Sequence, residues 1–117
     1  MDNTTVYLVI VALAAWLLVS RLGGVKKAPS AVTAQKIASG ARVIDVRSRS
    51  EFASGAYRKA KNIPLDEIAG RLGELGPKDG AIVVYCASGA RSSKAARILM
   101  KAGFGDVTNA GGLGAMP

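Results

Sequence analysis

The chain has 117 residues, a net charge of +8 at pH 7, one cysteine and no histidine. Because imidazole is the commonest general base and metal ligand, its absence excludes Cys-His and Ser-His-Asp hydrolysis and most zinc sites. The cations are scattered singly and only 5% of the residues are aromatic, so we expect no nucleic-acid partner.

The N-terminal segment is apolar. No residue between Asp2 and Arg21 is charged, and residues 6–19 are continuously apolar. The 18 uncharged residues would span about 27 Å as a helix, close to the thickness of a bilayer's hydrocarbon core. The sequence therefore predicts a transmembrane helix over residues 1–22, with membrane contact through residues 4–22. A cleaved signal peptide is the alternative, although an acidic residue precedes the run and no small-x-small site follows it.

Positive charge follows this segment at Arg21, Lys26 and Lys27. The positive-inside rule then predicts a single-pass protein of the cell inner membrane with its domain in the cytoplasm. Residues 23–29 are predicted to be a short linker by their Gly, Lys and Pro content. The domain is expected over residues 30–117.

Beyond residue 30, short helical patterns alternate with apolar strand patterns. We expect strands over 43–46, 61–63, 81–85 and 107–109. The first helix should run from a Thr33 cap to Gly40, and the second should be capped by Ser48 or Ser50 and stopped by Gly55. Pro64 and Asp66 should open a helix that continues to Leu75, and the last helix should cover 91–102. This order predicts a small α/β domain with a mainly parallel sheet.

Residues 86–92 form a loop of small residues between the most apolar strand and the longest helix of the domain. Such a loop can point successive N–H groups inward, and the following helix adds the positive end of its dipole. Arg91 contributes a permanent charge. These features should lower the pKa of the Cys86 thiol and make it a nucleophile. An inert buried cysteine at a strand end is the alternative.

The segment Cys-Ala-Ser-Gly-Ala-Arg-Ser resembles the active-site loop of single-domain rhodanese-like sulfurtransferases. The motifs that support the resemblance lie elsewhere in the domain: Val-Ile-Asp-Val-Arg at 43–47, Glu-Phe-Ala-Ser-Gly at 51–55, Ala-Lys-Asn-Ile-Pro-Leu at 60–65 and Asn-Ala-Gly-Gly at 109–112. The ending at 110–117 is similar to the phage-shock type of this family, whose known form is periplasmic, so the periplasm is the alternative compartment.

The resemblance implies a rhodanese-like fold, with a mainly parallel central sheet flanked by helices, and sulfur transfer through a Cys86 persulfide. It implies thiosulfate or another sulfane-sulfur donor, cyanide or a thiol as acceptor, and neither a metal nor an organic cofactor. The catalytic residues that it implies are Cys86 and Arg91. The residues that it implies for binding the persulfide are Ala87, Ser88, Gly89, Ala90 and Ser92. Structural support is implied for Asp45, Arg47 and Glu51, and Glu51 is expected to pair with Arg91.

Three positions depart from the common pattern of the family. Ala87 stands where an Arg often follows the cysteine, Ala56 where His is frequent, and Leu113 where an aromatic residue is usual. A membrane-anchored sulfur-carrier or binding module with little thiosulfate activity is therefore a second hypothesis. A phosphatase or arsenate reductase is a third, although related domains of that kind place five residues between Cys and Arg and this chain places four.

Overall fold

The structure is a computed structural model that describes residues 2–22 and 24–117, with side chains described for residues 2–18 and 24–117. In this part of the chain, four parallel strands form one sheet in the order β2-β1-β3-β4. The strands are β1 (Arg42–Asp45), β2 (Lys61–Asn62), β3 (Ile82–Cys86) and β4 (Val107–Gly112). The predicted small α/β domain with a parallel sheet is confirmed.

Helices of the domain cover both faces of this sheet. They are α2 (Ser30–Ala38), α3 (Arg49–Ala53), α4 (Leu65–Ile68) and α5 (Ala90–Lys101), with 3-10 turns at Leu72–Leu75 and Leu113–Ala115. The N-terminal helix α1 (Asn3–Leu22) precedes the domain, and its described side chains, at residues 3–18, are exposed. Successive side chains of β3 point to opposite faces. Val84 and Cys86 belong to the larger core, under α4 and α5, whereas Val83 and Tyr85 belong to a smaller core that includes Ile37 of α2.

The N-terminal segment is helical, but the prediction of a membrane span is not supported. Among the described residues, no helix is long and apolar enough to cross a membrane. Asn3 and the two threonines after it give the first turn of α1 a polar character. Membrane contact through residues 4–22 is unconfirmed, and the compartment of the domain stays a prediction.

Residues 24–29 of the predicted linker lie against the domain. Gly23, the first residue of that prediction, is outside the described residues. The Val25 N–H donates to the Ser93 carbonyl at 3.2 Å, and the Ala28 N–H donates to the Asn109 carbonyl at 2.8 Å. The Asn109 side-chain amide donates back to the Val25 carbonyl at 2.7 Å. We call residues 24–29 the strap, because they tie the start of α5 to the edge strand β4.

Two helices differ from their predictions. Helix α2 begins at Ser30 after Pro29, whose φ of −56° suits a helix start, and Thr33 is a buried residue inside the helix instead of its cap. The helix expected to run to Leu75 ends at Ile68 and is followed by a 3-10 turn. Glycines at positions 70 and 73 explain the break, since glycine disfavours a helix interior by about 1 kcal/mol.

Strand β4 is longer than predicted and contains a bulge. Val84 pairs with Asn109 and Tyr85 pairs with Gly111, so Ala110 is an extra residue in β4. The Asn109 carboxamide oxygen accepts a hydrogen bond from the Gly111 N–H at 3.0 Å, which stabilises the bulge. The bulge carries the end of β4 alongside the loop that follows Cys86.

A buried polar network lies on the sheet face opposite Cys86. The Asp45 carboxylate accepts hydrogen bonds from Arg47 Nη2 at 2.8 Å and from the Tyr85 hydroxyl at 2.8 Å. The Tyr85 hydroxyl in turn accepts the Tyr57 N–H at 2.9 Å. Arg47 also donates to the Gly55 carbonyl at 2.7 Å. Since burial raises the pKa of Tyr85 to about 12, with Asp45 adding to the rise, the phenol stays protonated and keeps donating.

Replacing Tyr85 by phenylalanine should destabilise the domain by about 2 kcal/mol, because it leaves the buried Asp45 oxygen and the Tyr57 N–H each short of a partner. Urea unfolding followed by circular dichroism measures the change. Tyr7→Phe is the matched control, since Tyr7 is 67% exposed on α1. Equal stability of the Tyr85→Phe protein and the wild type would show that the network contributes nothing.

Candidate active site

Cys86 is the last residue of β3 and is completely buried. The loop after it enters α5 at Ala90, with Gly89 as the N-cap residue. Gly89 has a φ of +103°, a left-handed conformation that favours glycine. The predicted arrangement of a thiol at a strand end, followed by a tight loop and a helix N-terminus, is therefore present.

Hydrogen-bond donors converge on the cysteine sulfur. The Gly89 N–H donates to Cys86 Sγ at 2.9 Å. Burial is the largest single influence on the thiol and raises its pKa. Hydrogen bonds from the Ser92 hydroxyl and from the amides of Ser92, Gly89 and Ser88 together outweigh burial, so the pKa of Cys86 lies below its usual value. The loop thus favours the thiolate, as the sequence predicted.

Ser92 has a second role that sequence reasoning missed, because it was expected to act only as part of the loop that binds the persulfide. Its Oγ is buried, 3.4 Å from Cys86 Sγ, 3.1 Å from the Gly89 carbonyl and 3.3 Å from the Gly111 carbonyl. A protonated thiol donates to this oxygen. When the proton leaves, rotation about the Ser92 Cβ–Oγ bond lets the hydroxyl donate to the sulfur instead. Ser92 can therefore follow the charge state of the thiol without moving its backbone.

Arg91 is held by an ion pair, and the pKa of its guanidinium is raised first by Glu51 and also by the charge of Cys86. Its guanidinium makes a two-pronged ion pair with Glu51, with Nη1 and Nη2 donating to the two carboxylate oxygens at 2.6 and 3.0 Å. This pairing was expected from the resemblance and is present. Arg91 and the Ser48 N–H lower the pKa of Glu51 to about 2. Because Glu51 also closes a capping box with Ser48 at the start of α3, the pair joins α3 to the first turn of α5.

The loop leaves little room around the sulfur. It places four residues between Cys86 and Arg91, and the Gly89 N–H already reaches Sγ at 2.9 Å. Gly111 lies beside Gly89, since a Cβ built on Gly89 would make an ordinary van der Waals contact with Gly111 Cα at 3.5 Å. Such a ring suits one added sulfur atom better than a tetrahedral oxyanion. The geometry therefore does not favour phosphatase or arsenate reductase chemistry.

A cleft of about 610 Å³ lies beside this loop. Residues 87–90, including Ala87 and Ala90, form one wall, and the end of β4 forms another. The strap closes the third side with Lys26 and Lys27. These lysines were assigned to a linker, and no local sequence pattern placed them at the site. Asp45 and Arg47 lie apart from the sulfur, in the buried network on the other face of the sheet.

A family model described as Rhodanese-like domain matches residues 29–114. A protein of Allochromatium vinosum named Sulfurtransferase is 42% identical over 67 residues, which cover 57% of this chain and 62% of the relative. Thiosulfate sulfurtransferase PspE of Escherichia coli K12 is 40% identical over 71 residues, covering 60% of this chain and 68% of the relative. The chain thus spans less than two thirds of the length of the first of these relatives.

Solved structures show the same fold. The structure titled "rhodanese with anions from E. coli" superposes with a TM-score of 0.63 at 36% identity, over 67% of this chain and 95% of that one. The human single-domain sulfurtransferase TSTD1 superposes with a TM-score of 0.66 at 27% identity, over 76% of this chain and 91% of that one. With its sheet order, its cysteine loop and these matches, the chain belongs to the rhodanese-like domain family.

Proposed function

We propose that the chain is a sulfurtransferase that carries sulfane sulfur as a persulfide on Cys86. The observation that carries this proposal is the ring of donors around Sγ, in which the Gly89 N–H lies 2.9 Å from the sulfur and the pKa of the thiol is lowered. The names of the relatives support it. Thiosulfate or a similar sulfane-sulfur compound is the proposed donor, and cyanide or a thiol is the proposed acceptor.

The reaction has two displacement steps. The Cys86 thiolate attacks the outer sulfur of thiosulfate, the S–S bond of thiosulfate breaks, and sulfite leaves with the electron pair. The acceptor then attacks the terminal sulfur of the persulfide. With cyanide, thiocyanate forms and the Cys86 thiolate is regenerated.

Neither step requires an imidazole. The first step starts from a thiolate and releases an anion, so stabilisation of charge matters more than a proton donor. The amides of Ser88, Gly89 and Ser92 supply that stabilisation for Sγ, and the same loop would hold the terminal sulfur of the persulfide. The Ser92 hydroxyl serves both the thiol and the thiolate.

Arg91 is assigned a positioning role. Its guanidinium is held by Glu51 and faces a groove lined by Val46, Ser48, Pro64, Leu65 and Asp66. By tying α5 to α3, it fixes the direction in which the first amides of α5 point. The catalytic assignment that the resemblance implied for Arg91 is thus proposed to consist in orienting the loop through Glu51.

The sulfur-carrier hypothesis has one observation in its favour. Ala87 leaves the position after the cysteine without a charge, which removes one contact that an anionic donor could use. A carrier would accept sulfur from a partner's persulfide and show little turnover of free thiosulfate. The first prediction below separates the two functions.

Cys86→Ser should abolish sulfur loading, because an alcohol of similar size is not ionised at neutral pH. Intact mass spectrometry before and after incubation with thiosulfate measures it. The wild type should gain one sulfur atom that cyanide removes, whereas the variant should gain none and keep the wild-type circular dichroism spectrum. A variant that still turns over thiosulfate would refute Cys86 as the nucleophile. A wild type that loads only from a persulfide donor would favour the carrier.

Ser92→Ala should raise the pKa of Cys86, because it removes the hydroxyl donor to the thiolate. Alkylation by iodoacetamide requires the thiolate, so in the wild type its rate should rise through an inflection at lower pH than that of an ordinary thiol. In the variant the inflection should move to higher pH, and alkylation at pH 7 should slow several-fold. Ser93→Ala is the control, since its neighbouring hydroxyl is not among the donors to Sγ. Superimposable pH profiles for all three proteins would remove Ser92 from the site.

Arg91→Ala should lower kcat about tenfold with little change in KM, because it loosens the loop instead of removing a substrate contact. Glu51→Gln should have a similar effect, and the double variant should be no worse than either single one. Arg91→Lys should restore part of the activity. Lys94→Ala, on the exposed side of α5, is the control for charge. Losses that add up in the double variant would mean that Arg91 and Glu51 act separately.

A further inference from the structure

The strap brings two lysines to the cleft beside the cysteine loop. The Lys27 side chain lies along Gly111, and a Cβ built at Gly111 would lie 3.0 to 3.4 Å from Lys27 Cγ, Cδ and Cε. Gly111 in turn packs against Gly89 of the loop, as described above. Gly111 thus has Lys27 of the strap and Gly89 of the cysteine loop as neighbours.

Backbone hydrogen bonds fix the position of these lysines. Val25 and Ala28, on either side of them, each donate an N–H to the body of the domain. Asn109 holds the strap and the bulge together, because its side chain donates to the Val25 carbonyl and accepts from the Gly111 N–H. Asn109, which stabilises the bulge at the end of β4, therefore also fixes the position of the strap.

The charge of the cleft comes from these lysines. Among the described residues that line it, Lys26 and Lys27 are the only charged side chains, so no carboxylate opposes them. Arg91 cannot take their place, since Glu51 pairs with it and it faces a different groove. Ala87 adds no charge. An anion that approaches the loop from this side therefore meets the unopposed positive charge of the strap.

We infer that Lys26 and Lys27 are specificity-determining residues that select small anionic sulfur donors, such as thiosulfate, over neutral ones. This inference rests on the proposed function. In the first displacement step, the lysines would hold the dianion beside the loop and balance the charge of the departing sulfite. They do so from a segment outside the cysteine loop, which compensates for the neutral residue at position 87.

The test removes the charge and keeps the packing. Lys26→Met with Lys27→Met preserves the aliphatic contact with Gly111, and Lys94→Met with Lys101→Met changes the net charge equally on the exposed part of α5. The strap variant should raise KM for thiosulfate about tenfold, change kcat less than twofold and weaken the salt dependence of kcat/KM. Lys27→Arg should keep a KM near that of the wild type. Equal changes in both double variants, or none in the strap variant, would overturn the inference.

A binding measurement separates this inference from the proposed function. Thiosulfate is titrated into Cys86→Ser protein, with and without the two strap substitutions, and the amide signals of residues 87–92 are followed by NMR. Shifts that disappear with the strap substitutions support the inference even if the wild type never forms a persulfide. Sulfur transfer by the wild type, together with binding that the strap substitutions leave unchanged, would refute the inference and leave the proposed function standing.

Discussion

The site depends on one constraint, which is that a completely buried sulfur must carry a negative charge. Burial alone would keep the Cys86 thiol protonated, because a charge taken out of water loses its solvation. The short loop reverses that preference with hydrogen bonds from Ser88, Gly89 and Ser92. Each donor is fixed by its position in the loop or in the first turn of α5, and none of these donors has to change its own protonation state. This explains how a chain without histidine can hold a reactive thiolate.

The geometry of the loop is controlled from both faces of β3. On one face, Cys86 meets the loop and the first turn of α5. On the other, the preceding residue, Tyr85, donates to Asp45 in a network that also binds Arg47. Because neighbouring residues of a strand point to opposite faces, this network fixes the end of β3 without entering the site. The bulge in β4 then places Gly111 beside Gly89 of the loop.

Much of this arrangement could be predicted from sequence, because it depends on local patterns. The apolar run before Cys86 predicted a buried strand, the small residues after it predicted a tight loop, and Ser48 predicted the start of α3. The features that were missed depend on contacts between distant segments. The strap was assigned to a linker since nothing near Lys27 in sequence points to Asn109. The N-terminal span was predicted from the length of the uncharged run, which includes the polar residues of the first turn of α1.

The four cations discussed above therefore divide into two kinds, which composition alone could not distinguish. Arg47 and Arg91 are each held by a carboxylate, so their charge is largely balanced and their effect is on shape. Lys26 and Lys27 have no carboxylate among the residues that share their cleft, so their effect is on the electrostatic potential that a substrate meets. The amides of the loop set the pKa of the thiol, and the strap sets the affinity for anions. Since these two properties reside in segments far apart in sequence, a substitution at position 26 or 27 can change donor preference without altering the nucleophile.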